Sequence, residues 1–391
     1  MMNKAYPIGK GTFIQCDMAE GWSDKEWLSE LGYLKEVEME YIIIGTSQSQ
    51  KTDVVDFCLK TASQMGMKVF VSINYNNGWF EKGSRDEAWL YEQMETDAEI
   101  ADKLYKKYYH KYPHSFFGWY FTYEVDNMNF NSLKKFIVLT RALNILLKTL
   151  RVRGERLPIL ISPFMNAFYG TAKEYADRWA YLFTHSELME GDIFCPQDCV
   201  GGGGLDITQV DEWFHCFREA VDKKPGLQFW ANTETFDHEN WCSAPLKRFL
   251  QQMKIESRYV DNIITFAYSH YYSPNNIDPR LHQIYYCYVK TGNFPSSRPK
   301  PPQNISVKNL GINRIQISWE PAVSGVGIFG YELYRNNKKI YSVCIQRKYG
   351  GNPGPLKLSY IDKEAYKLGL MALMPIAYDV KAIDMAGNSS G

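Results

Sequence analysis

Two short stretches of the chain run apolar and aromatic and then stop on carboxylates. Residues 118–127 read GWYFTYEVDN and place Glu124 and Asp126 near their end; residues 228–237 read QFWANTETFD and place Glu234 in the same relation. A carboxylate is costly to leave in a strand that points into a core, so each either reaches into a cleft from a strand end or opens a solvated loop. If the two glutamates face one cleft, they suit glycoside hydrolysis. One carboxyl, kept protonated by burial or by its neighbour's charge, protonates the leaving oxygen, and the other, ionised, attacks the anomeric carbon or activates water. Other readings stay open. Glu124 can be a structural strand-end carboxylate paired with Arg or Lys, Glu234 can be a loop charge, and Glu239 can stand in for Glu234 because TETFDHEN holds several acids. Asp126 reads most simply as a cap of the next helix.

Such residues need a frame. Eight short apolar runs recur, at 11–16 (GTFIQC), 41–45 (YIIIG), 68–74 (KVFVSIN), 116–123 (FFGWYFTY), 158–162 (PILIS), 192–196 (DIFCP), 228–232 (QFWAN) and 263–268 (IITFAY). Each is β-branched or aromatic, as a strand covered on both faces requires. Between them lie amphipathic segments with helix signals. Ser23 and Glu26 have capping-box spacing, Thr52-Asp53 opens a segment that stops at Gly66, and 85–112 is closed by Pro113. Further helices are expected at 133–153, 171–189, 207–224, 244–259 and 279–290. Alternation of this kind implies parallel strands joined by right-handed crossovers, and eight units in about 290 residues match an α/β (β/α)8 (TIM) barrel. A doubly wound open sheet is the alternative, but the turn after the first strand reads CDMAEGW and has no GxGxxG fingerprint.

Barrel chemistry sits at the C-terminal ends of the strands, and almost every such end here is carboxylate, amide or aromatic. Glu124 and Glu234, after strands 4 and 7, lie nearly opposite across an eight-stranded barrel. The expected substrate-binding residues are Trp22 after strand 1, Asn74 and Trp79 after strand 3, Asn166 after strand 5, Asp198 after strand 6, Asn232 on strand 7, and Tyr268, His270 and Tyr271 after strand 8. Asp198 can equally be a loop-fixing residue, and any one tryptophan can be packing. Few Lys or Arg stand at these ends, which disfavours a phosphorylated substrate. The run Gly201–Gly204 lacks the Lys-Ser/Thr of a P-loop and reads as a flexible loop. No His-x-His, His-Glu-x-x-His or DxDxDG spacing points to a metal, and no cofactor is expected.

Composition narrows the class further. Lys+Arg and Asp+Glu both number 44, so the basic excess of a nucleic-acid binder is missing. No run approaches a membrane span, and the start, MMNKAYPIGKG, lacks the apolar stretch of a secretory signal. The eight cysteines sit mostly singly in apolar patterns, as thiols in a reducing compartment do, so a cytoplasmic location is expected. Oligomeric state leaves no mark on the sequence.

The strand-4 and strand-7 glutamates resemble those of the large clan of retaining glycoside hydrolases. That resemblance implies Glu124 as acid/base and Glu234 as nucleophile, acting without metal on an oligosaccharide or polysaccharide. More narrowly, GWYFTYEVDN and FWANTETFD resemble a little-characterised family of bacterial barrels classed with the glycoside hydrolases, over about residues 8–290. One departure stands out: the clan has Asn directly before the acid/base, where this chain has Tyr123. After residue 292 the helical period ends. A Pro/Ser-rich linker, 293–303 (NFPSSRPKPPQ), leads to short alternating strands over 304–391. There ISWEP, YELYRN and YDVKAIDMAGNSS resemble a fibronectin type III module, with Trp319 at the core-tryptophan position and Tyr378 at the tyrosine corner. Two rivals to the enzyme reading are a non-catalytic carbohydrate-binding barrel and a structural or adhesive protein.

Overall fold

The computed structural model describes residues 4–45, 52–151, 156–311, 314–348, 354–365 and 376–391. The chain divides into two compact units, Met1–Phe236 with Leu250–His270, and Asp237–Phe249 with Tyr271–Gly391.

The alternation expected from the sequence is present. Strands β1 (Gly11–Ile14), β2 (Tyr41–Ile44), β3 (Lys68–Ser72), β4 (Phe116–Phe121), β5 (Ile159–Ile161), β6 (Ile193–Phe194) and β7 (Gln228–Glu234) are followed by a small ribbon, β8 (Phe236–Asp237) and β9 (Cys242–Ser243), and then β10 (Asn262–Phe266). All but the ribbon close into one barrel of order β1-β10-β7-β6-β5-β4-β3-β2. Every neighbouring pair in it is parallel, as right-handed strand–helix crossovers require. Helices α1 (Cys16–Ala19), α2 (Asp24–Glu36), α3 (Val54–Met65), α4 (Trp79–Lys82), α5 (Glu87–Tyr108), α6 (Leu133–Arg151), α7 (Ala172–His185), α8 (Val210–Val221), α9 (Leu246–Glu256), α10 (Tyr268–Tyr271) and α11 (Pro279–Thr291) fill the intervals.

Side chains fill the barrel interior. Phe13, Ile43, Phe70, Leu160, Ile193, Cys195, Trp230 and Ile264 form its core. Their size forces a glycine on β4: a Cβ at Gly118 would stand 2.6 Å from the Pro158 carbonyl oxygen and 2.8 Å from the Phe70 ring.

Local helix signals act where the sequence places them. Ser23 and Glu26 complete a capping box on α2, and α3 runs from an Asp53 cap to Gly66 in the left-handed region. Ends set by tertiary contacts differ from the expectation. Helix α7 stops at His185 rather than 189, because the buried Asp192 carboxylate draws the Met189 N–H into a turn (2.7 Å) while also accepting from Ile159 N (3.1 Å) and pairing with Arg151. Strand β7, expected to end at Asn232, runs on to Glu234 because it pairs with β10 through Phe266. The expected end of α6 at Arg153-Gly154 lies outside the described residues.

In the second unit, β11 (Ser306–Asn309), β12 (Ile315–Ser318) and β15 (Ser359–Asp362) form one antiparallel sheet. Strands β13 (Ile328–Arg335), β14 (Lys338–Cys344) and β16 (Tyr378–Asp384) form another. Trp319 packs with Ile317, Tyr331, Leu333, Val380 and Ala382 between them. The β13–β14 turn places Asn336 and Asn337 at φ 48° and 65°, the primed-turn geometry that Asn tolerates. A buried pair closes this unit. Arg335 Nη1 meets both Asp362 oxygens at 2.8 and 2.9 Å, and the Tyr378 hydroxyl donates to the same carboxylate at 2.8 Å. Burial pushes the Asp362 carboxyl up, but the Glu364 N–H, Tyr378 and Arg335 outweigh it and hold it below its ordinary value.

Removing one partner strands a buried charge. Asp362→Ala is therefore expected to destabilise this unit by about 3–5 kcal/mol in urea unfolding, while Arg335→Met with Asp362→Leu recovers most of the loss. Because the folded carboxyl lies below its unfolded value, its contribution is full above about pH 4 and disappears as pH falls through the folded value.

Candidate active site

The strand-4 glutamate is set in place by its neighbours rather than by the strand itself. Strand β4 stops at Phe121, and the next residues turn outward. Thr122 Oγ1 donates to the Asn74 carbonyl, and the Tyr123 ring stacks on Trp79 at 4.7 Å with an interplanar angle of 19°. The Tyr123 hydroxyl reaches Asp97 on α5 at 3.3 Å. Asp97 also accepts from Asn74 Nδ2 (2.8 Å) and Gln93 Nε2 (2.7 Å), and burial nonetheless holds its carboxyl above the usual range. Trp79 stacks on Phe130 as well and donates its Nε1 hydrogen to the Glu124 carbonyl at 2.8 Å. Asn74 and Trp79, expected at a sugar, are thus engaged in supporting Glu124, and Trp79 is only 4% exposed. Tyr123 occupies the position before the glutamate, but its side chain belongs to the α5 side.

The Glu124 side chain keeps part of its surface open, and Gln197 Nε2 donates to Oε1 at 2.9 Å. Burial pushes its carboxyl up, the Gln197 amide opposes this, and the charge of Asp126 adds to the rise. Asp126 itself caps a turn, accepting from Asn129 N and Nδ2. Tyr75 and Tyr120 lie within the field of Glu124. Both phenols are raised, mainly by burial and then by that negative charge.

The loop after β6 carries the link to β7. Gln197 bridges to Asn232 in parallel fashion, extending the sheet beyond β6. Asn232 Nδ2 donates to Ser162 Oγ at 3.1 Å. Two residues on, Glu234 receives the Gly202 N–H on Oε2 at 2.6 Å. The glycine run, expected as a flexible loop, is a fitted strap. Gly204 N donates to Cys199 O, Ala167 N donates to Gly204 O, and Met165 N donates to the Cys199 thiol at 3.2 Å. A Cβ at Gly201 would meet the Phe236 carbonyl oxygen at 2.5 Å and Glu234 Cβ at 2.9 Å. The strap lies so close that Glu234 is 1% exposed.

Asp198 also turns inward. Its Oδ1 accepts from Val200 N (3.1 Å) and Glu234 N (3.3 Å), and its Oδ2 accepts from Gln252 Nε2 (2.5 Å). It holds the loop, which is the second of the two readings its position allowed. The Asn166 side chain caps the helical turn Ala167–Tyr169 through the Phe168 N–H (2.8 Å), presenting Phe168 at 86% exposure. Trp22 is half-buried, edge-on to Trp27 at 5.0 Å. Tyr268 and His270 are buried in α10, with His270 stacked on Phe266. Tyr271 belongs to the second unit, where the Arg347 guanidinium lies over its ring at 4.8 Å. Glu239, the alternative acid, is exposed there and pairs with Lys339 at 3.4 Å.

Sequence reasoning missed Gln252, Glu256, Thr233 and the Gly202 N–H as parts of the site. Gln252 and Glu256 are four apart on α9, and nothing in a helical period marks which polar face is covered. The strap gives a direct test. Gly201→Ala is expected to lower stability by about 1–3 kcal/mol in urea unfolding through backbone overlap. Gly202→Ala, whose Cβ would stand 3.5 Å from its neighbours, is expected to fold like wild type.

Residues 10–278, a span holding every barrel strand, match the family model described as a domain of unknown function (DUF4434). A 93-residue part is 32% identical to an alpha-amylase from Niallia circulans, covering 24% of this chain and 6% of that protein. Among solved structures, an endo-beta-1,4-mannanase from Thermotoga petrophila matches with TM-score 0.47 at 11% identity, over 99% of this chain and 97% of that one. A GH39 beta-xylosidase from Caulobacter crescentus matches with TM-score 0.46 at 10% identity, over 85% and 83%. A calcium-binding mutant of Bacteroides uniformis beta-glucuronidase 2 matches with TM-score 0.47 at 10% identity, over 98% and 46%. With more than half of its length under one family model, the chain belongs to the DUF4434 family.

Proposed function

We propose that the protein is a retaining glycoside hydrolase acting on an oligosaccharide or polysaccharide, with Glu124 as acid/base and Glu234 as nucleophile. The observation that carries this reading is the unlike surroundings of two glutamates at the C-terminal ends of β4 and β7. Glu124 is desolvated and raised, as an acid that must hold a proton needs to be. Glu234 receives a backbone N–H on its carboxylate, a contact that favours negative charge on that oxygen. Gln197 hydrogen-bonds Glu124 and pairs with β7 two residues before Glu234, so the two acids are tied into one frame.

In the first step Glu124 gives its proton to the glycosidic oxygen while a Glu234 oxygen bonds to the anomeric carbon. In the second, Glu124 takes a proton from water, which displaces Glu234 from the sugar. Because the glycine strap covers Glu234, the attacking oxygen is reached only when Gly201–Gly202 yields to substrate. Trp22, Tyr75, Phe168 and Tyr169 are the proposed sugar contacts, while Asn74, Trp79, Asn166 and Asp198 hold the residues that surround the sugar. With Tyr123 turned away, Gln197 takes the amide role that the clan gives to the residue before its acid/base. Residues 1–292 are taken as the catalytic barrel, 293–303 as a linker and 304–391 as a fibronectin type III module. Support for that module comes from its paired three-stranded sheets and the Trp319 core.

A panel of 4-nitrophenyl and alkyl glycosides tests the assignment. Glu124→Gln is expected to lose about 10²–10⁴-fold in turnover on alkyl glycosides, and less on nitrophenyl glycosides, whose leaving group hardly needs a proton. Glu234→Gln is expected to fall to background on both. Turnover that survives in both variants would overturn the site, and a barrel that binds but never cleaves would be a lectin-like protein. The first-formed anomer, read by NMR, should match the substrate's configuration. Since Glu124 must be protonated for the first step and its carboxyl is raised, the alkaline limb of kcat/KM should lie above the ordinary glutamate value of about 4.3.

A further inference from the structure

Beneath Glu234 lies a second pair of acids that the proposed reaction does not use. Asp198, in the loop after β6, and Glu256, at the end of α9, are both fully buried. Asp198 is surrounded by N–H donors from three segments: Val200 in its own loop, Glu234 on β7 and Gln252 on α9. A carboxyl that accepts from three N–H groups carries the negative charge. Glu256 is placed differently. Its Oε2 accepts the Thr233 hydroxyl at 2.5 Å, while among the described residues no donor reaches its buried Oε1. The charges of Asp198 and Glu234 both act on it and raise its carboxyl.

Two buried carboxyls lying in each other's field do not both ionise, so one of them holds a proton. The donors around Asp198 assign that proton to Glu256. The other titratable groups facing this pair act in the same sense. The charge of Glu234 acts on Glu256 from β7, while the Cys195 thiol on the β6 side is itself pushed up and lies in the field of Glu256. Burial and the charge of Asp198 favour the neutral acid there, and the Thr233 hydroxyl opposes.

We infer that Asp198 and Glu256 share one proton and work as a positioning pair that fixes the end of β7 and, with it, the reactive carboxylate of Glu234. The grip on β7 is double. Asp198 holds the Glu234 N–H, and Gln252, four residues before Glu256 on α9, donates to both Asp198 and the Glu234 carbonyl (3.1 Å). Glu256 secures Thr233, the residue before. Glu234 is thus held at its own N–H, at its own carbonyl and at the side chain beside it. The role assigned to this clamp rests on the reading of Glu234 as nucleophile.

Three variants separate the possibilities. Glu256→Gln keeps a donor toward Asp198 and an acceptor for Thr233, so it should stay within about threefold of wild-type kcat. Glu256→Leu removes both, and is expected to lose about 10²-fold in kcat on the fastest 4-nitrophenyl glycoside, with KM changed far less. Asp198→Asn puts an N–H against the Gln252 amide and should behave like the leucine variant. Circular dichroism and urea unfolding select the conditions at which each variant is folded. The proton is read without turnover: at neutral pH the infrared absorption of protonated carboxyls should be the same in wild type and in Glu234→Gln, and smaller by one carboxyl in Glu256→Gln. A raised buried acid also makes wild-type stability fall as pH rises above the unfolded glutamate value, and Glu256→Gln should flatten that slope. An unchanged infrared band in Glu256→Gln would overturn the shared proton, and a folded Glu256→Leu with wild-type kcat would overturn the clamp. If instead Glu234→Gln keeps full turnover while the band behaves as expected, the assignment of Glu234 as nucleophile fails and the proton pair stands.

Discussion

A single carboxylate that never reaches solvent organises the mouth of this barrel. Asp198 collects N–H groups from its own loop, from β7 and from α9, three segments that share no local reason to meet. A buried charge is tolerated only when its hydrogen-bonding capacity is met, so the three segments are not free to move independently. The consequence is rigidity where a barrel is otherwise most variable. The loop after β6 becomes an extension of the sheet, Gln197 is delivered to Glu124, and the glycine strap is laid over Glu234.

The two glutamates of the mouth differ because their supports differ. Glu124 is backed by an aromatic wall. Trp79, Tyr123 and Phe130 stack behind it, and the indole N–H holds its carbonyl, leaving the carboxyl in an environment poor in charge-stabilising donors. Glu234 is backed by amides and acids, and its carboxylate meets a backbone N–H. Local surroundings, rather than the residue type, make the two carboxyls unlike: burial raises that of Glu124, while that of Glu234 accepts a backbone N–H. The same contrast explains why several polar residues expected at the ligand are turned inward. Asn74 donates to Asp97, and Asp198 accepts the Glu234 N–H.

Much of the barrel was legible in the sequence because its signals are local. Short β-branched runs, the Ser23–Glu26 capping box and the Gly66 stop act within a few residues, and each appears where the sequence places it. Helix and strand ends determined by distant partners were not legible. Residues 186–191 continue an amphipathic pattern, yet Asp192 turns the chain there, since a buried carboxylate takes the Met189 N–H that would have served the helix. The glycine run shows the same limit from the other side. Four glycines in sequence look mobile, but here the missing side chains are what allow a backbone to pass within van der Waals contact of Phe236 and Glu234.

By itself the sequence determined the eightfold alternation and the candidacy of Glu124 and Glu234, because strand periodicity and carboxylates at strand ends are written in consecutive residues. Only the tertiary structure decided which side chains surround those carboxylates. It turned Tyr123 away to Asp97, brought Gln197 to Glu124, and placed Gln252 and Glu256 from a helix under Glu234. The reason is physical. A helical period states that one face is polar, but whether that face meets water or a buried acid depends on what the rest of the chain packs against it.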